Sequence, residues 1–312
     1  MELIRGWHNL RARHRGCVAT IGNFDGVHLG HQAVIGQLAG KAAELCLPTT
    51  LITFEPQPQE YFAPAAAPPR LMRFREKMQA LQRYSVDRVL CLAFNERLAQ
   101  MPHTAFIEEI LVRGLGLRYL VVGDDFRFGR GREGNFSVLR EAGQKHGFQV
   151  VNMHTFAIGG ERVSSTRIRK ALAEGDMAMA EELLGRDYRM SGRVAHGEKL
   201  GRQLGFPTAN IHLHRKVSPL QGIFAVEVYG LDREPLTGVA SLGNRPTVDG
   251  TRTLLEVYLF DFDEDIYGRH IEVSFRHKLR DEERFDSLEA LTEQIRKDVE
   301  QAKAFFAGQD AL

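Results

Sequence analysis

The first half of the chain alternates continuous apolar runs with stretches of helical periodicity. Val34, Ile35, Leu38, Ala42 and Leu45 recur at helical spacing, and helical patterns also cover REKMQALQRY, TAFIEEILVRGL and SVLREAGQKHG. The apolar runs between them are CVATIG, TTLITF, DRVLCLAF, YLVVG and FQVVNMHTF. Strands that are apolar throughout and separated by helices predict a parallel sheet covered by helices on both faces.

The pattern changes near Gly185, where short alternating runs are divided by Gly, Pro and Asn. These runs are SGRVAHG, GIFAVEVYG, LTGVASLG, TLLEVYLFDF and HIEVSFRHKL, and they predict a small antiparallel β-barrel. The tail DSLEALTEQIRKDVEQAKAFFA predicts an amphipathic helix capped by Asp286 or Ser287. Because 312 residues are more than a single hydrophobic core ordinarily organises, we predict two domains. We expect residues 1–184 to form an α/β, Rossmann-like domain, and residues 185–312 to form the barrel and its C-terminal helix.

Charge, apolar stretches and cysteine count indicate which partners and which cellular compartment the sequence favours. The formal net charge is +1, which gives no electrostatic indication of nucleic acid or a membrane surface as a partner. No apolar stretch approaches the ~20 residues of a membrane span, and the N-terminus lacks the apolar core of a secretory signal. Three widely spaced cysteines (Cys17, Cys46 and Cys91) cannot all pair, which favours a reducing cytoplasm. The sequence leaves the oligomeric state open, and a homo-oligomer is compatible with it.

The segment GNFDGVHLGH, residues 22–31, follows the first long apolar run and opens a helix. Ligands bind at this end of a parallel sheet, and a helix N-terminus suits phosphate. His28 and His31 are three residues apart and face the same way, so both can donate hydrogen bonds to a phosphate chain. Turns with solvated histidines are the plainer alternative for each residue alone. The combination predicts a phosphate site of Gly22, Gly26, Gly30 and the two histidines, with Phe24 and Asp25 as further cofactor-binding residues.

The segment VSSTRIRKAL places hydroxyls and arginines at the start of another predicted helix. Free N–H groups, the hydroxyls of Ser165 and Thr166, and the guanidinium of Arg167 are suited to phosphate. An ordinary Ser/Thr cap with a solvated basic face is the alternative. Beside the histidine segment, this helix start predicts a second group of phosphate contacts.

The segment VVGDDFRFGRGREG combines carboxylates, arginines and aromatic rings in one turn. Asp124, Phe126 and Phe128 are candidates for holding a flat ring with polar edges. A polar surface loop with two partly buried phenylalanines explains the same residues equally well. Chemistry alone leaves both possibilities open.

The barrel half carries a second candidate site in GEKLGRQLGFPTANI, residues 197–211. Thr208 and Asn210 are two apart on a predicted extended segment, so they point to one side and offer oxygen ligands to Mg²⁺. Glu256 lies in an otherwise apolar run, where a carboxylate could accept the proton of an alcohol that attacks ATP. A turn at Thr208 and Asn210 and a solvent-facing strand position for Glu256 are the alternatives.

The HxGH spacing of the histidine segment resembles the nucleotidyltransferase superfamily. Together with FEPQP, GDDFRFG, SSTRIR, LGFPTANI and LEVYLFDFDEDIYG, the chain resembles the bacterial bifunctional riboflavin kinase/FAD synthetase family over nearly its whole length. The resemblance implies that the C-terminal domain phosphorylates riboflavin with ATP to FMN, and that the N-terminal domain adenylylates FMN with ATP to FAD and pyrophosphate. It implies that His28 and His31 contact ATP phosphates, and that Ser165, Thr166 and Arg167 hold the far end of those phosphates. It also implies that the Asp124–Phe128 loop helps to bind flavin and that Glu256 is the kinase base. It further implies a Mg²⁺ site at Thr208 and Asn210, and cofactor contacts that include Gly197, Gly205 and Pro207.

The chain departs from this family in its FEPQP segment, where many relatives have His and this chain has Gln57. An amide can hydrogen-bond but cannot carry a charge, so an acid–base role at this position is not expected. The proline-containing loop at 56–69 is a candidate lid. The alternatives to a bifunctional enzyme are a nucleotidyltransferase whose β domain only binds flavin, a flavin-sensing module and, remotely, a class I aminoacyl-tRNA synthetase.

Overall fold

The computed structural model describes residues 1–312 except 124, 154–155, 198–200, 202–203, 216, 248–249 and 310–312, with backbone only at 244–247, 250–252 and 309. The chain forms two units. The first comprises Met1–Pro68 and Phe74–Val163, and the second comprises Pro69–Arg73 and Ser164–Leu312. The functional boundary at 184/185 stays a prediction, since this division follows backbone packing and not activity.

A six-stranded parallel sheet organises the first unit. Its strands are β1 (Glu2–Arg5), β2 (Cys17–Ile21), β3 (Thr49–Glu55), β4 (Arg88–Ala93), β5 (Leu117–Val122) and β6 (Gln149–Asn152), in the spatial order β1-β4-β3-β2-β5-β6. The order reverses direction between β2 and β5, and such a switch point opens a crevice at the carboxyl ends of the strands. A small hairpin of β7 (Ala157–Ile158) and β8 (Glu161–Arg162) follows.

Helices bury both faces of this sheet, as the apolar strands predict. On one face α1 (Leu29–Leu45) packs Val34 and Leu38 against Val18. Cys17, Ala19 and Ile21 of the same strand contribute to the larger core on the opposite face. The remaining helices of the unit are α2 (Pro58–Phe62), α3 (Phe74–Leu81), α4 (Glu96–Ala99), α5 (His103–Ala105), which continues as a π-helix over Phe106–Gly114, and α6 (Phe136–His146).

A closed antiparallel barrel forms most of the second unit. Its strands are β9 (Tyr188–Ala195), β10 (Thr208–His212), β11 (Gly222–Tyr229), β12 (Leu236–Thr247), β13 (Gly250–Leu259) and β14 (His270–Arg280), arranged β10-β13-β12-β11-β14-β9 and closed by pairing of β9 with β10. The helices are α7 (Ser165–Glu174), α8 (Met177–Leu184) and α9 (Leu288–Gln309). Helix α9 buries Ala302 against Ile223, Ala225, Val239 and Phe260 on the outside of the barrel.

Residues 69–73, which we call the docked segment, belong to the second unit although they lie within the sequence of the first. Arg215 donates to the carbonyl of Arg70 at 2.6 Å, and the Tyr188 hydroxyl donates to that of Leu71 at 2.9 Å. Arg73 in turn donates to the carbonyl of Leu213 at 2.6 Å. These bonds satisfy backbone groups of an irregular segment that has no sheet or helix partners of its own.

The sequence-based description differs from the structure in several details. The predicted helix at 104–115 is mostly a π-helix, and strand β6 ends at Asn152 although the apolar run continues to Phe156. The predicted loop at 56–69 contains the short helix α2. At the last helix, Ser287 is the cap, because its Oγ accepts from the Ala290 N–H at 3.1 Å. No helix among the described residues is long and apolar enough to span a bilayer.

Candidate active sites

The first candidate site lies at the switch point of the parallel sheet, where β2 leads into α1 through residues 22–31, which we call the histidine loop. His28 is the N-cap of α1, and its Nδ1 accepts from the His31 N–H at 3.3 Å. The two imidazole rings stack with centroids 3.7 Å apart. The structure therefore brings the two predicted histidines together at a helix N-terminus.

The backbone of this loop is unusual, with Phe24, Gly26 and Val27 all in the left-handed region at φ values of 50°, 86° and 43°. Only Gly26 adopts such a conformation without steric cost. At Gly30 a Cβ atom would come 3.2 Å from the His28 ring and 3.3 Å from the carbonyl of Val163. At Gly22 it would come 3.2 Å from the ring of Phe24. Asp25, at 2% exposure, is buried in the same turn.

The His31 side chain is held neutral. Burial lowers its pKa well below the ordinary 6.5, and the neighbouring His28 and Lys77 lower the pKa further. Among the described residues, no group forms a hydrogen bond with Nδ1 of His31. A buried polar atom without a partner is costly, so this nitrogen is available to a ligand.

Gln57 carries a second buried atom of this kind. Its side chain is 5% exposed, and within the described part of the chain its Nε2 has no hydrogen-bond partner. Gln57 lies two residues beyond the end of β3, the neighbour of β2 in the sheet. The sequence identified the residue only because many relatives have His at this position of the FEPQP segment.

The Ser164–Arg167 helix start belongs to the second unit. Ser164 caps α7 by accepting the Arg167 N–H at 3.3 Å, and Ser165 is the first helical residue. The Arg167 guanidinium lies 3.6 Å from the Met179 sulfur. The predicted combination of Ser165, Thr166 and Arg167 with the histidine loop stays a prediction.

The segment after β5 packs its aromatic rings inward. Phe128 is 6% exposed, and its ring stacks on that of Phe126 with centroids 5.5 Å apart. Asp125 forms an ion pair with Arg162 at 3.2 Å. Phe126 remains partly accessible beside the core, whereas Asp124 lies outside the described residues. A flavin-binding role for this segment stays a prediction.

The second candidate site is a cavity of about 600 Å³ between the barrel and α9. Strand β10 pairs with β13 so that Asn210 lies directly opposite Glu256 and Thr208 opposite Tyr258. Thr208, Asn210 and Glu256 all line the cavity. Thr208 and Asn210 thus lie on a strand rather than in a turn, and Glu256 faces the cavity. Gly205, at φ 87°, and Pro207 are exposed and do not line the described part of the cavity.

Gly197 also lines this cavity, and here the lack of a side chain matters. A Cβ atom at Gly197 would come 2.4 Å from the amide nitrogen of Asn210. The glycine therefore leaves space for the Asn210 amide and for whatever that amide binds.

The cavity wall contains an ion pair that the sequence did not reveal. Arg280 donates to both carboxylate oxygens of Asp298, each at 2.8 Å, and Gln294 donates to the same carboxylate at 3.0 Å. The Asp298 side chain is 3% exposed and that of Arg280 is 16% exposed. Because Arg280 ends β14 and Asp298 lies in α9, the pair fastens the helix to the barrel beside the cavity.

Two residues of this cavity carry oxygen donors of the kind that Mg²⁺ prefers. Within the described ranges, no group of three His, Cys, Asp or Glu side chains is placed to hold a metal. Thr208 and Asn210 instead offer neutral oxygens on one face of a strand. Mg²⁺ is commonly held by a few protein oxygens, water and the phosphates of its nucleotide.

Comparison with known proteins connects these two sites to two family models. The FAD synthetase model matches residues 10–167, and the riboflavin kinase model matches residues 184–306. The bifunctional riboflavin kinase/FMN adenylyltransferase of Escherichia coli K12 is 52% identical over 98% of each chain. This chain belongs to the bifunctional riboflavin kinase/FMN adenylyltransferase family.

Other similarities extend over the same length. The family member from Haemophilus influenzae is 51% identical over 98% of this chain and 99% of its own. A crystal structure titled as a macrolide-efflux protein from Streptococcus pneumoniae is 28% identical, with a TM-score of 0.81 over 96% of this chain and 97% of its own. The chain therefore has the two transferase activities of the riboflavin kinase/FMN adenylyltransferase family. Its substrates are ATP, riboflavin and FMN, and its products include FMN and FAD.

Proposed function

We propose that the barrel unit phosphorylates riboflavin and that the sheet unit adenylylates the resulting FMN. Support comes from the order of the two family models along the chain. The cavity that brings Glu256, Asn210 and Thr208 together is the observation that carries the kinase assignment. The riboflavin kinase model over residues 184–306 also favours a kinase over a barrel that only binds flavin.

In the kinase reaction, Glu256 accepts the proton of the riboflavin 5′-hydroxyl as that oxygen attacks the γ-phosphorus of ATP. The bond to the β,γ-bridging oxygen breaks, and ADP leaves. Thr208 and Asn210 would hold Mg²⁺, which screens the phosphate charges when it is bound. The flavin ring would occupy the apolar part of the cavity against α9, where Leu291, Ile295 and Val299 line the wall.

In the adenylyl transfer, a phosphate oxygen of FMN attacks the α-phosphorus of the second ATP. The bond between the α-phosphorus and the α,β-bridging oxygen breaks, so pyrophosphate leaves and FAD is the other product. His28 and His31 would donate hydrogen bonds to the phosphates, and the N-terminus of α1 would stabilise their negative charge. Ser165, Thr166 and Arg167 stay predicted contacts for the far end of the phosphates, and the Asp124–Phe128 segment stays a predicted flavin contact.

The test of the kinase assignment uses Glu256→Gln with Glu227→Gln as its matched control. Glu227 lies on β11 and bonds to the Tyr229 hydroxyl at 2.9 Å, and it does not line the described cavity. We expect Glu256→Gln to lower riboflavin phosphorylation by about 10²–10⁴-fold, the range for loss of a general base. Adenylyl transfer to supplied FMN measures the amount of folded enzyme in the same sample. Undiminished FMN formation would remove Glu256 from the mechanism.

The cellular compartment and the oligomeric state of the enzyme are also proposals. The thiols of Cys17, Cys46 and Cys91 are free in the structure, which supports the predicted reducing cytoplasm. The substrates that follow from the activities are small molecules, whereas assembly into a homo-oligomer stays a prediction that light scattering on the purified chain would test.

A further inference from the structure

Lys77 on α3 is the largest fully buried side chain of the first unit, at 0% exposure. Its ammonium group donates to the carbonyl of Asn23 at 2.7 Å and lies 3.4 Å from the Thr53 hydroxyl. The Thr53 hydroxyl also lies 3.4 Å from the same carbonyl. Burying an ammonium group is costly unless it is hydrogen-bonded, and the 2.7 Å bond of this group ends on the histidine loop.

The bond from Lys77 fixes the direction of one peptide unit. In a trans peptide the carbonyl and the following N–H point in opposite directions. With the Asn23 carbonyl turned toward Lys77, the N–H of Phe24 is turned away from α3. At the other end of the turn, Gln32 donates to the carbonyl of Val27 at 2.9 Å, which orients the His28 N–H in the same manner.

The loop between these two bonds needs such support. Phe24 and Val27 are non-glycine residues in the left-handed region, and a backbone of this kind persists only where its surroundings hold it. Consecutive N–H groups on alternating right- and left-handed residues form a concave anion site. The charge of Lys77 also reaches this loop, since it is one of the charges that lower the pKa of His31.

We propose that Lys77 is a positioning residue for adenylyl transfer, which holds the Asn23–Phe24 peptide so that the Phe24 N–H faces the nucleotide phosphates. The proposal rests on the proposed function of the histidine loop. Lys77 touches neither substrate, and it acts through the backbone of the loop. Its loss should therefore weaken the binding of phosphate groups and leave flavin binding unchanged.

The test compares Lys77→Met, Lys77→Gln and the control Lys41→Met. Lys41 lies on α1 and pairs with Glu44 at 2.7 Å, away from the Asn23 carbonyl. The reverse reaction of FAD with pyrophosphate isolates the adenylyl-transfer site, because the kinase does not use pyrophosphate. We expect Lys77→Met to raise the KM for pyrophosphate at least about tenfold, and to raise the KM for FAD, which carries only the α-phosphate of the nucleotide, by a smaller factor. Lys77→Gln, which can still donate to the carbonyl, should recover most of the loss.

Riboflavin phosphorylation in the same samples reports the amount of intact enzyme, and Lys41→Met should behave as the parent. An unchanged KM for pyrophosphate in Lys77→Met overturns the proposal, as does an equal rise in both KM values. If Lys77→Met does not fold, Thr53→Val removes the second polar group and should raise the same KM to a smaller degree. His28→Ala distinguishes failure of the Lys77 proposal from failure of the proposed phosphate site in the histidine loop. If His28→Ala also leaves the KM for pyrophosphate unchanged, the proposed phosphate site itself is wrong.

Discussion

The buried pair of Arg280 and Asp298 allows a quantitative prediction for Asp298→Asn. The substitution keeps the shape of the side chain but leaves a guanidinium that is only 16% exposed without its carboxylate. Removing one partner of a buried pair costs about 3–5 kcal/mol, and we expect about 3 kcal/mol because asparagine keeps one acceptor oxygen. With a urea slope of about 2 kcal/mol per molar, the unfolding midpoint of the barrel unit should fall by roughly 1.5 M.

The assay follows urea unfolding by circular dichroism and by fluorescence of the single tryptophan. Trp7 lies in the first unit, so its fluorescence transition should stay in place while the barrel transition moves. Glu293→Gln is the matched control, because Glu293 is 56% exposed on the same helix and pairs with Arg296 at 3.4 Å on the helix surface. Such exposed pairs contribute about 0–1 kcal/mol.

Replacing both partners should restore most of the stability. In Arg280→Met/Asp298→Leu no charge is left buried, and exchanges of this type are often neutral. The reasoning is refuted if Asp298→Asn unfolds at the same urea concentration as Glu293→Gln. It is also refuted if the double variant is no more stable than the single one.

Three further predictions concern the two sites. Gly197→Ala should raise the Mg²⁺ concentration needed for half-maximal riboflavin phosphorylation, because the new Cβ meets the Asn210 amide at 2.4 Å; adenylyl transfer from supplied FMN is the control. The folded pKa of His31 lies below its unfolded value, so its contribution to stability is complete above about pH 6.5 and is lost as pH falls below that value. Urea midpoints from Trp7 fluorescence should therefore decline less between about pH 7.5 and about pH 5 in His31→Gln than in the parent, and equal declines would contradict this. Gln57→His introduces a titratable ring at a buried position, so adenylyl transfer should acquire a pH dependence near neutrality that a pH–rate profile of the parent lacks.

The apolar runs and the residues that divide them were sufficient to predict both folds. A parallel strand buried on both faces is apolar throughout, and CVATI has this pattern. GIFAVEVY is itself apolar and buried over most of its length, so the barrel was indicated by the Gly, Pro and Asn residues that divide the short runs after Gly185. Ser287 was one of two candidate caps in the sequence, because a serine side chain before a helical run can accept a hydrogen bond from the first backbone N–H groups. The π-helix at 106–114 was not predictable, because a change of hydrogen-bond register leaves little trace in the pattern of apolar residues.

Site residues were likewise predictable only where their contacts lie within one helix or strand. The sequence placed His28 beside His31 and Thr208 beside Asn210, because their contacts depend on short spacing along one element. It could not pair Asn210 with Glu256, because that neighbourhood depends on strand register in the barrel. Lys77 and Asp298 occur in charged, helical sequence where a solvated side chain is the ordinary expectation, and only tertiary packing shows that both are buried.

The docked segment has a consequence for synthesis of the chain on the ribosome. The hydrogen-bond partners of this segment are synthesised much later than the segment itself. Ser191 follows Arg73 by 118 residues, and Arg215 follows Arg70 by 145. Translation proceeds from the N-terminus, so the first unit can complete its sheet while residues 69–73 still lack their partners. A ribosome that stalls before Arg215 would leave this short stretch exposed on an otherwise finished domain, which makes it a natural point for proteolytic recognition of incomplete chains.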